Sequence, residues 1–417
     1  MEIDPALLGW LRIALAVGFA GRLHPERPHP FLDPGKTPAE ILETSDLELR
    51  REGAGEASLR RLRDPDLARA AAGLGERSLR MGLRCIHRDA PEWPGGLRDL
   101  PDAPAVLWVR GDLRLLGDAP ESVPLLSVVG TRYPSPYGTE AVRAFLEVFG
   151  MAGLGVVSGL ARGIDGLAHR IAIETGATTL AVLGNGLDRI YPPENRALAE
   201  RILARGGLLL SEYPPGYRAH PGTFPRRNRI LVALGRGLFV VEAGRRSGSL
   251  HSAAWALAYD RPIWALPGPW KAPTSEGCHQ LLRDGARLAD TPDGLLRDLG
   301  LAFDLGRGTG DLRVDDPVEA AVLQALTGSP QPPEALATRL GRSLAETLCA
   351  VGRLAARGFV TDEGGCYRRL AVPPPGEKPV NEPSRPGNSM SSPRRNSGGG
   401  PSGRKRAAEA GSPGTEP

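Results

Sequence analysis

Between residues 83 and 302, short apolar runs of strand length alternate with amphipathic segments of helix length. The runs are 125–129, 155–158, 178–183, 207–210, 238–241 and 262–266. Each is nearly continuous in apolar residues, the texture of strands covered on both faces in a parallel sheet. Segments 139–149 and 166–175 repeat apolar positions at helical spacing. The alternation predicts a doubly wound α/β domain over residues 81–302 with a parallel sheet at its centre.

The flanks have a different period. Leu7, Leu8, Leu11, Ala14 and Leu15 share a helical face, as do Leu59, Leu62, Leu67, Ala70 and Leu74. Residues 1–80 are therefore expected to form a small helical module, punctuated by the loop His24-Pro25-Glu26-Arg27-Pro28-His29-Pro30. Residues 303–314 read as a Gly/Asp-rich linker. Asp316-Pro317 then offers an N-cap with proline at the first helical position. Val318, Val322 and Leu326 mark one helix, Leu336 and Leu340 a second, and Leu344, Leu348, Val351 and Leu354 a third. Ser343 with Glu346 fits a capping box, and Gly358 stands where the last helix should end. Phe359-Val360-Thr361 and Tyr367-Arg368, around a turn at 362–365, predict a hairpin. Three helices and a hairpin over 315–370 make a C-terminal winged helix. Residues 371–417, rich in Pro, Gly and Ser, are expected to be a disordered tail, with Arg394, Arg395, Arg404, Lys405 and Arg406 as small basic clusters.

Composition narrows this picture only a little. The 417 residues are 41% apolar and 24% charged, with a net charge of +4 that decides nothing about partners. Cys85, Cys278, Cys349 and Cys366 lack any paired spacing, which suits neither a disulfide framework nor a zinc site. The apolar stretch 6–20 is interrupted by Arg12 and reads as a buried helix rather than a membrane span. A cytoplasmic protein without membrane, metal or cofactor is the expectation.

Chemistry is expected at the carboxyl ends of the parallel strands, where loops and helix N-termini present backbone N–H groups. The first such loop is Gly130-Thr131-Arg132-Tyr133-Pro134-Ser135-Pro136-Tyr137-Gly138, with Arg132 as a phosphate fork and no dinucleotide fingerprint. The second, Ser158-Gly159-Leu160-Ala161-Arg162-Gly163-Ile164-Asp165-Gly166, combines small residues with Arg162 at a helix start. Asp165 and His169, four apart, suit an acid/base or metal pair. A helix cap beside a packed histidine fits them better, because no further ligand type follows within a turn. The third loop is Gly184-Asn185-Gly186-Leu187-Asp188, running to Tyr191-Pro192. Phe224-Pro225-Arg226-Arg227-Asn228-Arg229 is the densest cationic cluster of the domain. Its arginines can pair with phosphates while Phe224 stacks a base, or they can brace neighbouring loops. Arg245-Arg246-Ser247-Gly248-Ser249 follows the fifth strand and Pro267-Gly268 the sixth. Several basic, glycine-bearing loops on one sheet edge point to a polyanionic ligand.

Taken in order, these strings resemble the DNA-processing protein A (DprA/Smf) family. Gly130-Thr131-Arg132, Ser135-Pro136-Tyr137-Gly138, Ser158-Gly159, Gly163-Ile164-Asp165, Gly186-Leu187-Asp188 and Tyr191-Pro192 carry the likeness. So do Ser211-Glu212-Tyr213, the Phe224 to Ile230 string, Glu242-Ala243, Ser247-Gly248-Ser249-Leu250, and upstream Trp93-Pro94 and Gly111-Asp112-Leu113. The likeness spans roughly residues 83–290. It implies an extended Rossmann-like domain with accessory modules, a SAM-like one before it and a winged helix after it. It also implies a non-enzymatic mediator that binds and protects single-stranded DNA and loads RecA recombinase during natural transformation. A homodimer through the Rossmann-like domain is part of the same implication. Family contacts map to Arg132, Arg162, Arg245 and Arg246, with Arg226 to Arg229 as neighbours. His251-Ser252 and Gly277-Cys278-His279 depart from the usual pattern.

Two other readings compete. A nucleoside-monophosphate phosphoribohydrolase on a related fold would use Glu242, Asp165 and His169 as acid/base groups, but its Pro-Gly-Gly-x-Gly-Thr signature is reduced to Pro267-Gly268. A ligand-responsive transcription regulator would place Arg353 and Arg357 of the third C-terminal helix on duplex DNA.

Overall fold

The computed structural model describes residues 3–19, 29–33, 35–98, 100–116, 123–301, 316–326, 330–356 and 359–369. The linker expected over 303–314, the tail over 371–417, Gly358, and the proline loop from His24 to Pro28 lie outside the described residues.

Nine strands form one sheet: β1 (Arg84–His87), β2 (Val106–Gly111), β3 (Leu125–Val129), β4 (Gly155–Ser158), β5 (Thr179–Leu183), β6 (Leu208–Ser211), β7 (Leu238–Val240), β8 (Ile263–Ala265) and β9 (Arg287–Leu288). Their order is β1-β2-β6-β5-β4-β3-β7-β8-β9. From β6 across to β9 every neighbouring pair is parallel, whereas β1–β2 and β2–β6 are antiparallel. The six apolar runs are thus β3 to β8, and the wholly parallel expectation is corrected at one edge. Charged residues hid β1 and β9. Arg84 and His87 bracket β1 and Arg287 is half of β9, as is usual where a strand has a solvated side, whereas β2 is apolar over Val106–Val109 and reaches Arg110 only near its end.

The chain lays down β3, β4, β5 and β6 in one direction, then returns to place β7 on the other side of β3. The switch point therefore lies between β3 and β7, the place where open α/β sheets put ligands. Side chains alternate between faces. Leu180 and Val182 of β5 pack with Ile230, Leu231 and Ala253, whereas Ala181 and Leu183 pack with Ile202 and the N-terminal helices. Helices Pro136–Met151 and Ile164–Glu174 cover Leu126, Val128 and Phe239.

The N-terminal residues form helices Pro5–Val17, Pro38–Glu43, Asp46–Arg51, Glu56–Leu62 and Leu67–Arg80. Their core is continuous with that of the sheet: Trp10, Leu11 and Leu74 share a cluster with Val106, Trp108 and Leu209. Buried polar atoms are matched across the seam, Trp10 Nε1 donating to Asp89 (2.6 Å) and Trp108 Nε1 to Ser78 (3.0 Å).

Residues beyond the sheet domain form helices Pro317–Ala325, Pro333–Leu340 and Leu344–Ala356, then the antiparallel hairpin β10 (Val360–Glu363) and β11 (Cys366–Arg369). Asp316 caps the first helix, and Ser343 with Glu346 closes a reciprocal capping box on the third. Val322, Leu336, Val351, Leu354 and Phe359 make their core.

Candidate nucleic-acid interface

The crevice at the switch point is already filled. Glu242, at the end of β7 and buried, accepts hydrogen bonds from Ser135 N–H (2.9 Å), Ser135 Oγ (2.7 Å) and Thr274 Oγ1 (3.1 Å). Ser135 is the N-cap of helix Pro136–Met151, so a carboxylate of the chain itself occupies the anion position at that helix start. Gly138 makes this possible, since a Cβ there would stand 2.1 Å from a Glu242 oxygen.

Around this plug the strand-end loops lock into one another. Gly130 admits the Ile164 side chain, which a Cβ would meet at 2.6 Å. Gly163 has φ +76° and presses against the carbonyl oxygen of Thr131, while Ile164 N–H donates to that same oxygen at 3.1 Å. Only glycine meets both demands at 163. The β3 and β4 loops, bearing Arg132 and Arg162, are thereby held side by side.

Arg132 is exposed, and its guanidinium lies over the Phe224 ring at 6.0 Å from the centroid. Phe224 in turn lies beside Tyr191, centroids 5.6 Å apart and planes 34° apart. Tyr191 is 48% exposed and Tyr133, next to Arg132, is 78% exposed. Arg162 is exposed too but pairs with Glu194, which holds the Glu194 carboxyl below its usual range. Its charge is therefore partly offset by that partner. Arg245, Arg246 and Gly248 are exposed at the end of β7, with Ser247 Oγ 2.7 Å from Ser249 Oγ. Ser158 is buried and donates to Val128 O (2.7 Å), and Gly159 is buried as well, so both shape the loop from beneath.

Of the two readings of the cationic string at 226–229 open from sequence, bracing describes how its arginines are placed in this structure. Arg227 is buried and donates to Gly159 O (2.8 Å) and Val182 O, and its Nε donates to Asn228 Oδ1 (3.1 Å). Arg229, fully buried, pairs with Glu212 and stands 3.7 Å from Asp102. Arg226 Nε pairs with Glu212 Oε2 at 3.1 Å with its side chain only 9% exposed. A guanidinium enclosed by carboxylates and carbonyls has no face to offer a phosphate. Phe224 is the part of the string that reaches the rim.

Asp165 and His169 do not form a pair. Asp165 accepts from Gly159 N–H (3.1 Å), and burial pushes its carboxyl up against the pull of Arg227. His169 Nδ1 meets Thr179 Oγ1 at 2.7 Å. Burial, with Arg227 and Arg170 nearby, lowers its pKa to about 3. A histidine depressed in the folded state binds its proton more readily when unfolded, so stability is complete above about pH 6.5 and falls as pH drops. Replacing His169 with glutamine should flatten the urea-stability profile between about pH 6.5 and 4, by up to about 1.4 kcal/mol per pH unit. An unchanged slope would exclude His169 as its source.

Among the described residues, no group of three or more His, Cys, Asp or Glu is placed to hold a metal ion. No helix among them is long and apolar enough to cross a membrane.

Sequence reasoning missed Tyr133 and Tyr191. Both stand in Tyr-Pro dipeptides at strand ends, and an aromatic in a proline turn, outside any apolar period, was the available signal.

The architecture is that of a doubly wound α/β protein with a mostly parallel sheet and a basic, aromatic rim at its carboxyl edge. A family model described as DNA recombination-mediator protein A matches residues 84–300. Protein Smf of Escherichia coli (strain K12) is 38% identical over 292 residues, 68% of this chain and 77% of its own. The X-ray structure of DNA processing protein A from Streptococcus pneumoniae superposes with TM-score 0.59 and 29% identity, over 72% of this chain and 99% of its own. The structure of DNA processing protein A from Helicobacter pylori, described for its unique single-stranded DNA binding mode, has TM-score 0.47 and 29% identity, over 53% of this chain and 97% of its own. The chain belongs to the DNA recombination-mediator protein A family.

Proposed function

We propose that this chain binds single-stranded DNA, with little sequence preference, along the carboxyl ends of β5, β4, β3 and β7. The observation that carries the reading is Arg132 lying over Phe224 with Tyr191 beside it. Fixed aromatics stack any base, and arginines beside them meet the backbone. The strand-end loops of Arg132, Arg162, Arg245 and Arg246 follow adjacent strands, as a linear ligand requires. In this reading the protein is a cytoplasmic, non-enzymatic mediator. It protects incoming single strands and passes them to RecA recombinase in natural transformation, working as a homodimer through the α/β domain. Family membership supports these last points. The flanking helices are taken as a SAM-like module, and residues 317–369 as a winged helix.

A phosphoribohydrolase reading is disfavoured because Glu242, Asp165 and His169 are buried and committed to neighbours within the chain. Of the arginines named for a duplex-reading role of the third C-terminal helix, Arg353 is tied to Asp316 (2.9 Å) and Glu319 (2.6 Å), and Arg357 lies outside the described residues.

The test is a salt series with purified protein on single-stranded and duplex DNA. Affinity for the single strand should fall linearly on logarithmic axes, with a slope of about −0.7 per phosphate neutralised. Arg132→Ala and Arg246→Ala should each make that slope shallower by about 0.7, and Arg162→Ala by less, given its Glu194 partner. Equal slopes in all three variants would move the interface elsewhere.

A further inference from the structure

The loop after β8 opens with Pro267-Gly268 on the same rim, and the interface above makes no use of the residues that follow them. Trp270 there is 80% exposed, and Lys271 Nζ stands 4.8 Å from the centroid of its ring. Isolated exposed apolar residues are ordinary, and Leu257 at 72% is one. Three features set Trp270 apart. A cation lies over its ring, its loop is pinned, and it lies on the carboxyl edge one strand beyond Arg245 and Arg246.

The pinning is specific. Tyr137 OH donates to Pro267 O, tying the loop to the helix that begins just after Arg132. A ring nitrogen of His279 lies 3.0 Å from Gly268 O, and Ala272 N–H donates to Pro269 O at 2.9 Å. At Gly268 a Cβ would stand 2.1 Å from Ser275 Oγ, so the loop folds tightly onto the short helix Pro273–Ser275. Thr274 in that helix reaches the Glu242 plug. An indole on such a base is displayed at little further cost in ordering.

We infer that Trp270 and Lys271 form a second stacking step for single-stranded DNA, extending the track from β3 across β7 to β8. The inference rests on the proposed DNA-binding reading. Two strand gaps, about 10 Å, separate β3 from β8. Arg245 and Arg246 stand between the two aromatic stations, where phosphates would pass. The exposed indole takes a base, and Lys271 takes the adjoining phosphate.

The protein reports on this itself. Of its six tryptophans, Trp10, Trp93, Trp108 and Trp264 are fully buried or nearly so, and Trp255 is partly buried. A base stacked on Trp270 should quench the long-wavelength tryptophan emission of the full chain when oligothymidylate of about 20 nucleotides is added. In Trp270→Ala the quench should vanish and affinity should fall about tenfold. Trp270→Phe should restore affinity to within about threefold, and Lys271→Ala should make the salt dependence shallower. If Trp270→Ala binds like wild type while Arg132→Glu loses binding, the second step is overturned and the interface at β3 stands. If Arg132→Glu also binds like wild type, the interface itself fails and the extension falls with it.

Discussion

An Arg132→Glu, Phe224→Ala double variant is expected to bind single-stranded DNA between a hundredfold and a few thousandfold more weakly than wild type. A lost base stack costs about 1–3 kcal/mol, and a lost charge-assisted hydrogen bond about 1.5–3 kcal/mol. Together they approach roughly 3–5 kcal/mol, at about 1.4 kcal/mol per tenfold. The Arg132 guanidinium lies 6.0 Å from the Phe224 ring centroid, so a double-mutant cycle should show coupling, with single losses that do not sum to the double one. The fold should survive, because Arg132 is exposed and Phe224 only partly buried. Filter binding or fluorescence anisotropy at one fixed salt concentration measures the loss. A change below about fivefold would dismiss this pair as the centre of the interface.

Glu212→Ala is the second large effect, and it acts on stability. Glu212 is the partner of both Arg226 and Arg229, and Arg229 lies wholly inside the protein. Asp102 flanks the same guanidinium and accepts from Tyr259 OH at 2.7 Å. Asp102 belongs to the antiparallel lead-in, whereas Arg229 lies on the core helix Thr223–Leu234 and Glu212 just follows β6. The cluster therefore joins three parts of the fold. Removing one partner of a buried ion pair leaves an uncompensated charge and costs about 3–5 kcal/mol. Against a typical total of about 5–15 kcal/mol that is a large fraction. Urea denaturation should show it as a lower midpoint at similar slope, with Glu212→Gln losing less. A loss under about 1 kcal/mol would mean that the cluster contributes no more than a surface pair.

The core of this fold was legible because burial on both faces writes itself as apolar runs. Residues 125–129 and 155–158 became β3 and β4 without change of boundary. The edge strands β1 and β9 wrote no such signal, and the short apolar stretch Val106–Val109 of β2 went unassigned. At the rim, sequence gave residue type and approximate place but not commitment. Four consecutive residues, Arg226, Arg227, Asn228 and Arg229, look alike as a basic string. The helix turns all three guanidinium groups inward, toward Glu212, Asp102, Gly159 O and the β5 carbonyl of Val182. Which arginine is neutralised depends on carboxylates distant in sequence, and no local spacing reports that. Arg162 is the same lesson on the surface, its partner Glu194 lying 32 residues away. Tyr133, Tyr191 and Trp270 escaped because single exposed aromatics have no period.

Glu242 has one more consequence. A cleft of the usual doubly wound kind measures its guest: a molecule fits the volume or is refused, and its ends are part of the fit. With its own carboxylate seated between β3 and β7, this sheet already holds an anion of its own at that point. On the proposed reading a strand would cross the rim rather than enter there, and such a crossing would ask nothing of the strand's ends.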